Sequence, residues 1–223
     1  MSKLLEHFNT IFNIPESVKE LEELILDMAV KGKLVLQDPN DEPQSLLLEK
    51  VKQKKEQLIK EKKIKREKNL PEIKDEEKPF ELPKGWEWTR VGYVLSLLSD
   101  YHANGSYKKL KENVNLLDKE NYAIMVRISN LGKNPSREFK YITRDAYEFL
   151  KKSKLQPHDI VMSKITDPGT VYIVPDFKKP ISLAMNLFML RFSNFINPEY
   201  IYYYLKARES YVKSFQVGRS TKT

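Results

Sequence analysis

The chain of 223 residues contains no cysteine. Disulfides, thiolate zinc sites and cysteine nucleophiles are excluded together, and the absence suits a reducing compartment. Glycine is scarce too: there are seven, and no two are separated by a single residue. A dinucleotide-binding glycine loop is therefore excluded. Without a GxxxxGK sequence there is also no phosphate cradle of the kind motors and kinases use. The three histidines, His7, His102 and His158, are too dispersed to suggest a metal cluster. No run of about 18 apolar residues reads as a membrane span, and the opening MSKLLEHFNT lacks a secretory pattern. The expectation is a soluble, cytoplasmic protein without a metal or a bound cofactor.

Charge is abundant and unevenly placed. Residues 1–83 hold 16 Lys and Arg against 18 Asp and Glu, net −2; residues 84–223 hold 23 against 13, net +10; together they give the chain's +8. A strongly basic region that stays in solution usually answers a polyanion, most often nucleic acid. The charge shift coincides with LPKGWEWTRVG, which contains both tryptophans of the chain, Trp86 and Trp88. Both are read as packing anchors at the threshold of a new domain.

Residues 16–31, ESVKELEELILDMAVK, place Val18, Leu21, Leu24, Ile25, Met28 and Ala29 at helical spacing after Pro15 and before Gly32. QDPNDEPQS is a turn-rich connector. Residues 46–68 form a second helical stretch with a thin apolar stripe, and residues 50–68 carry ten basic and three acidic groups. Residues 69–85 read as a proline-punctuated linker. Beyond it come β-prone runs at 122–128, 159–165, 170–175 and 181–192, separated by turn signals. Helical runs at 143–153 and 197–215 interrupt them, opening on Thr143 and Asn197. Strands and helices mix without βαβ alternation. The expected fold class is α+β: a helical N-terminal segment and linker over 1–79, then a domain over 80–223 with a mixed or mainly antiparallel sheet and peripheral helices.

Two catalytic readings arise. Asn197-Pro198-Glu199-Tyr200 approximates the Asn/Asp-Pro-Pro-Tyr loop of adenine methyltransferases, but the third position is wrong and no cofactor-binding glycine loop exists, so the stretch is read first as a helix start. Asp159 with Asp176 and Lys178 approximates a magnesium nuclease set, an acid followed by acid-x-lysine. A DNA-modifying enzyme fragment, methyltransferase or nuclease, is thus the alternative. Binding chemistry is better represented. YHANGSYKKLK (101–111) reads as a loop in which Gly105 and Ser106 admit a phosphate. Lys108, Lys109 and Lys111 add charge there, and Tyr101, Asn104 and Tyr107 reach bases or sugars. Arg127, Ser129 and Asn130 end one β run; Ser163, Lys164, Thr166 and Asp167 end another. The last stretch, Gly218, Arg219, Ser220, Thr221 and Lys222, is basic and hydroxyl-rich.

These pieces together resemble the specificity subunits of type I restriction–modification enzymes. LPKGWEWTRVG resembles the opening of their target-recognition domains, and LEELILDMAVKGKLVLQDPNDEP (21–43) resembles the conserved segment before the first of them. LQPHDIVMSKITDPGTVYIV is similar to their Gly-Asp strand pair, with His158-Asp159 in place of Gly-Asp. ISLAMNLFMLRF with NPEYIYYYLKA resembles the strand and helix near the domain's end, and VGRSTKT the closing loop, here with Arg219 inserted. The resemblance implies a non-catalytic subunit that recognises one half of a bipartite double-stranded DNA target. It implies methyltransferase subunits as partners and, through them, the restriction/translocase subunit, with self-association possible and no membrane role. Lys108, Lys109, Lys111 and Arg219 would position phosphates; Asn104, Ser106, Tyr107, Arg127, Asn130 and Lys164 would read bases. Family members usually continue into a central helix and a second recognition domain, so the chain is expected to be a truncated or half-length form.

Overall fold

The computed structural model describes residues 15–62, 64 and 70–215. Helix α1 (Pro15–Val30) follows the predicted periodicity and carries Glu16 in its first turn, where an acid complements the helix dipole. It ends where Gly32 takes φ +64° and the Lys33 N–H bonds back to the Met28 carbonyl. That left-handed cap favours a residue without a side chain. A Cβ on Gly32 would also lie 2.8 Å from Pro83 and 2.9 Å from the Trp86 ring. Helix α2 (Gln44–Lys60) buries Val51 and sends Lys55 Nζ at 2.7 Å to the carbonyl of Gly92, in the short helix α3 (Val91–Val94).

The stretch read as a linker is held in place. Arg90 donates to the carbonyls of Pro71 (3.1 Å) and Glu72 (2.7 Å), and makes a two-pronged pair with Glu77 at 2.6 and 2.7 Å. Bidentate geometry makes this a strong surface pair. The Arg90 hydrogen bonds hold the Glu77 carboxyl down to about 2, from an ordinary 4.5.

The basic part contains two sheets where one was expected. The first, in spatial order, pairs β1 (Leu95–Asp100), β8 (Leu187–Phe192), β5 (Ile160–Ser163) and β6 (Val171–Ile173), all antiparallel. The second orders β3 (Lys140–Ile142), β2 (Ala123–Val126), β7 (Ile181–Leu183) and β4 (Lys154–Leu155), with β2 and β7 parallel. The predicted run 181–192 is therefore two strands, one in each sheet. The chain changes sheets across Ala184–Asn186, where the Ala184 N–H still bonds to Val126 O and Asn186 O accepts from Lys164 N.

The layers follow from side-chain alternation. Ile124, Val126, Leu183, Val161, Leu187 and Met189 meet between the sheets. On the far face of the second sheet, Ala123, Met125 and Ile142 pack against helices α4 (Tyr107–Asn113) and α5 (Arg144–Phe149) through Leu110, Val114 and Ala146. Strand β2 is buried on both faces, which is why AIMV reads as a continuous apolar run. On the far face of the first sheet, Ile160, Val171 and Leu190 are covered by helix α6 (Pro198–Ala207) through Leu205 and Ile201. The single helix expected over 197–215 breaks at Arg208, and helix α7 (Glu209–Ser214) follows.

The two parts meet at Trp86. Its indole N–H donates to Gln37 Oε1 at 2.9 Å, and its ring stands edge-on to Tyr200, 5.7 Å between centroids. Tyr200 O–H donates to Val30 O at 3.1 Å, and burial pushes its pKa up to about 12. Trp88 packs against Phe80 at 4.8 Å, and Phe80 also receives Arg208 and Lys31 over its ring, at 5.4 and 5.9 Å.

Two consequences are measurable. Gly32→Ala strains the cap and collides with Trp86, and is expected to cost about 1–3 kcal/mol, seen as a lower denaturation midpoint. A carboxyl with a depressed folded pKa contributes stability above its unfolded value and loses it as pH falls. Glu77→Gln is accordingly less stable than the parent at pH 7, and the gap closes between pH 4.5 and about 2 in acid titrations followed by circular dichroism.

Candidate nucleic-acid interface

The stretch 101–111 is a turn and a helix, where a loop was expected. Asp100 accepts from the Ala103 N–H at 2.8 Å and Ser106 accepts from the Lys109 N–H at 3.5 Å, capping α4. Lys108, Lys109 and Lys111 lie exposed on that helix, and none makes an ion pair with a described residue. Asn104 turns inward. Its amide N–H groups donate to Tyr101 O (3.0 Å) and Ser153 Oγ (2.9 Å), and its Oδ1 accepts from the Lys152 N–H (2.8 Å). The expectation that Asn104 faces a base is revised: all these groups brace the turn against the segment before β4.

Asn130 is similarly committed. It is 2% exposed, donates to Ser136 O and Glu138 O, and accepts from the Arg127 N–H. Arg127 donates through Nη2 to Glu138 O, while its Nε is buried without a partner among the described residues. Ser163 is buried and donates to Ile165 O at 2.7 Å. Lys164 pairs with Asp100 and lies over the Phe188 ring at 4.5 Å. Burial raises the Asp100 pKa, but the Lys164 and Ala103 hydrogen bonds outweigh it and the net shift is downward. Thr166 adopts φ +69° in a turn pinned by Asp167, which pairs with Lys213 at 2.7 Å and accepts from Thr170 at 2.6 Å. Gly218, Arg219, Ser220, Thr221, Lys222 and His7 lie outside the described residues.

What the fold brings together is a groove of about 480 Å³ between α4, the end of β2 and the β7–β8 crossover. Tyr101, Tyr107, Lys111 and Arg127 line it with Ser129, as do Leu116, Met185 and Asn186. The last three were not anticipated. The only trace in sequence is that Ala184-Met185-Asn186 interrupts an otherwise strand-like run. The Lys164 N–H bonds to Asn186 O, so the Ser163–Thr170 turn adjoins the groove. Its floor includes Leu110, Val114, Met125 and Leu187, and its rim exposes Tyr107 (69%), Leu116 (54%) and Met185 (46%).

The catalytic readings lose their residues. Asn197 Oδ1 caps α6, accepting from the Glu199 and Tyr200 N–H groups at 2.8 and 3.2 Å, and Tyr200 faces Trp86. Asp159, with a side chain 3% exposed, receives Arg191 through Nε (2.8 Å) and Nη2 (2.6 Å) and accepts the Gln156 N–H at 2.7 Å. Asp176 closes a turn, accepting the Lys178 N–H at 2.8 Å and pairing with its ammonium. Among the described residues no group of three or more His, Cys, Asp or Glu is placed to hold a metal, and no helix is long and apolar enough to cross a membrane.

Fold and surface thus define an α+β protein with a helical N-terminal segment clamped onto a basic two-sheet domain that carries a cation-rimmed groove. Its relatives are specificity subunits of type I restriction enzymes. Over 100 residues, 45% of the chain, it is 56% identical to the specificity subunit of type I restriction enzyme EcoAI from Escherichia coli. Over 95 residues, 43% of the chain, it is 53% identical to that of EcoEI, also from Escherichia coli. The matched stretches span 17% and 16% of those proteins, so the chain covers only a fraction of their length. The HsdS subunit from Thermoanaerobacter tengcongensis aligns with 98% of the chain and 44% of its own, at 13% identity and a TM-score of 0.42. No family model matches the chain.

The buried pair makes its own prediction. Arg191→Met leaves the Asp159 carboxylate buried without its cation and is expected to cost about 3–5 kcal/mol by chemical denaturation. Asp176→Ala, on an exposed turn, should change the midpoint little.

Proposed function

We propose that the chain is a non-catalytic, sequence-specific DNA-recognition module of a type I restriction–modification system, reading one half of a bipartite double-stranded target. The observation that carries it is the high identity to specificity subunits over nearly half of the chain. The geometry supports the same reading. Lys108, Lys109 and Lys111 stand on one exposed helix beside the groove, suited to phosphates. Tyr107, Arg127, Ser129 and Asn186 offer polar groups at its mouth for base contacts. Asn104, Asn130 and Ser163 support that surface from behind; Ser106 caps the helix that bears the lysines, and Lys164 is held by Asp100. Arg219 and its neighbours at 218–222 stay in the proposal as phosphate contacts.

The N-terminal part supplies assembly. Val18, Leu24 and Ile25 on α1 are 44%, 51% and 45% exposed, and Val35 and Leu36 after it are 72% and 98% exposed. Exposed apolar side chains in this number suit an interface, and methyltransferase subunits are the occupants, linking the module indirectly to the restriction/translocase subunit. The setting is the cytoplasm, where such a complex meets DNA.

The test is duplex selectivity of the chain reconstituted with its methyltransferase subunits. Selective binding is expected. Lys108→Glu, Lys109→Glu and Lys111→Glu together should weaken it and lower the salt slope by about one per lysine. Absence of any sequence preference at low and moderate salt would overturn the reading.

A further inference from the structure

The groove is larger than edge readout requires. Side chains that read a stacked base pair need only project polar tips into the groove of the duplex. Here a recess of about 480 Å³ lies behind those tips, within the range of roughly 300–1,000 Å³ typical of small-ligand sites. Its floor is aliphatic, from Leu110, Val114 and Leu187, and two phenol rings stand at its wall and rim. A nucleobase has this combination of properties: a flat apolar face, a polar edge, and an anionic phosphate one sugar away.

We propose that the groove receives a single unpaired DNA nucleotide, its base on the aliphatic floor against Tyr107 and its phosphate on Lys111 and Arg127. This rests on the DNA-binding reading above and adds to it an everted base. Charge complementarity argues for this occupant over an apolar peptide. Lys111 is a lining residue with no ion pair among the described residues, and Lys108 and Lys109 add exposed charge on the same helix, outside the lining. Arg127 adds a donor, Nε, that is buried and unpaired, an arrangement that costs stability unless an acceptor arrives. Ser129 and the Asn186 amide are placed for the polar edge of the base. Tyr107, Leu116 and Met185 leave apolar surface exposed at the rim, which a stacked base would cover.

The experiment compares three probes on the full chain: a perfect duplex, the same duplex with one extra unpaired 2-aminopurine nucleotide, and free deoxyadenosine monophosphate. Expected is a preference of about tenfold or more for the bulged duplex, the scale of one base stacked on an aromatic ring, with quenching of the 2-aminopurine fluorescence. Leu116→Trp and Met185→Trp, each at a half-exposed rim position where folding tolerates bulk, fill the groove and bring the preference to within about twofold of unity. Equal affinity for bulged and perfect duplexes, or a preference that survives both variants, overturns the proposal while leaving the DNA-recognition reading standing. Failure of the chain to bind any of the probes overturns the proposal, while the DNA-recognition reading stands or falls on the reconstituted complex. Free nucleotide bound as tightly as the bulged duplex overturns the assignment to DNA.

Discussion

Residues 181–192 belong to both sheets at once. Ile181–Leu183 sits between β2 and β4; Leu187–Phe192 sits between β1 and β5; three residues connect them. Leu183 and Leu187, at the two ends of the crossover, are almost wholly buried in the core that the sheets share. Sheets joined by so short a connection cannot slide without emptying that core, and close-packed interiors resist such voids. The crossover is also one wall of the groove. Its backbone binds Val126 on one side and Lys164 on the other, so the end of β2 and the Ser163–Thr170 turn converge on the same place.

The N-terminal segment depends on a second convergence. Gly32 and Gln37, Trp86, and Tyr200 come from three separate stretches, and each explains another. The glycine makes room for the indole, the indole is oriented by the glutamine, and the tyrosine closes over it while bonding to the end of α1. Such a contact fixes α1 against α6. It leaves Val18, Leu24 and Ile25 of α1 exposed. The tryptophan is therefore a joint between the N-terminal helical segment and the basic two-sheet domain, and Trp88, packed on Phe80, secures the chain just after it.

Net charge alone does not locate the interface, because many cations are occupied. Arg90 holds the 70–78 stretch, Arg191 neutralises a buried aspartate, Lys213 pins the turn after β5, and Lys164 is matched to Asp100. The lysines of α4 are different: they are exposed and have no ion pair with a described residue. Ion pairs that organise the scaffold and cations that stay exposed without one thus come from the same basic composition. Only geometry separates them.

Much of the architecture was legible in local pattern. The helical periodicity of 16–31, the caps at Thr143 and Asn197, the buried AIMV strand and the charge change near Trp86 all act over a few residues, where backbone sterics and side-chain spacing decide. Asn104 and Asn130 show what was not. An asparagine beside lysines or at a strand end has the right chemistry for a base, and whether its amide points outward depends on residues as distant as Ser153 and Glu138. The same holds for Asp159, whose role follows from Arg191 on a neighbouring strand. The sequence by itself determined many of the elements, the α+β class, the basic half and the resemblance to its relatives, because these rest on short-range preference and composition. Tertiary structure decided that 181–192 serves two sheets, that the linker is clamped, and that Tyr107, Lys111, Arg127, Met185 and Asn186 share one groove. Those outcomes are set by which surfaces pack together, and packing partners far apart in the chain leave no local trace.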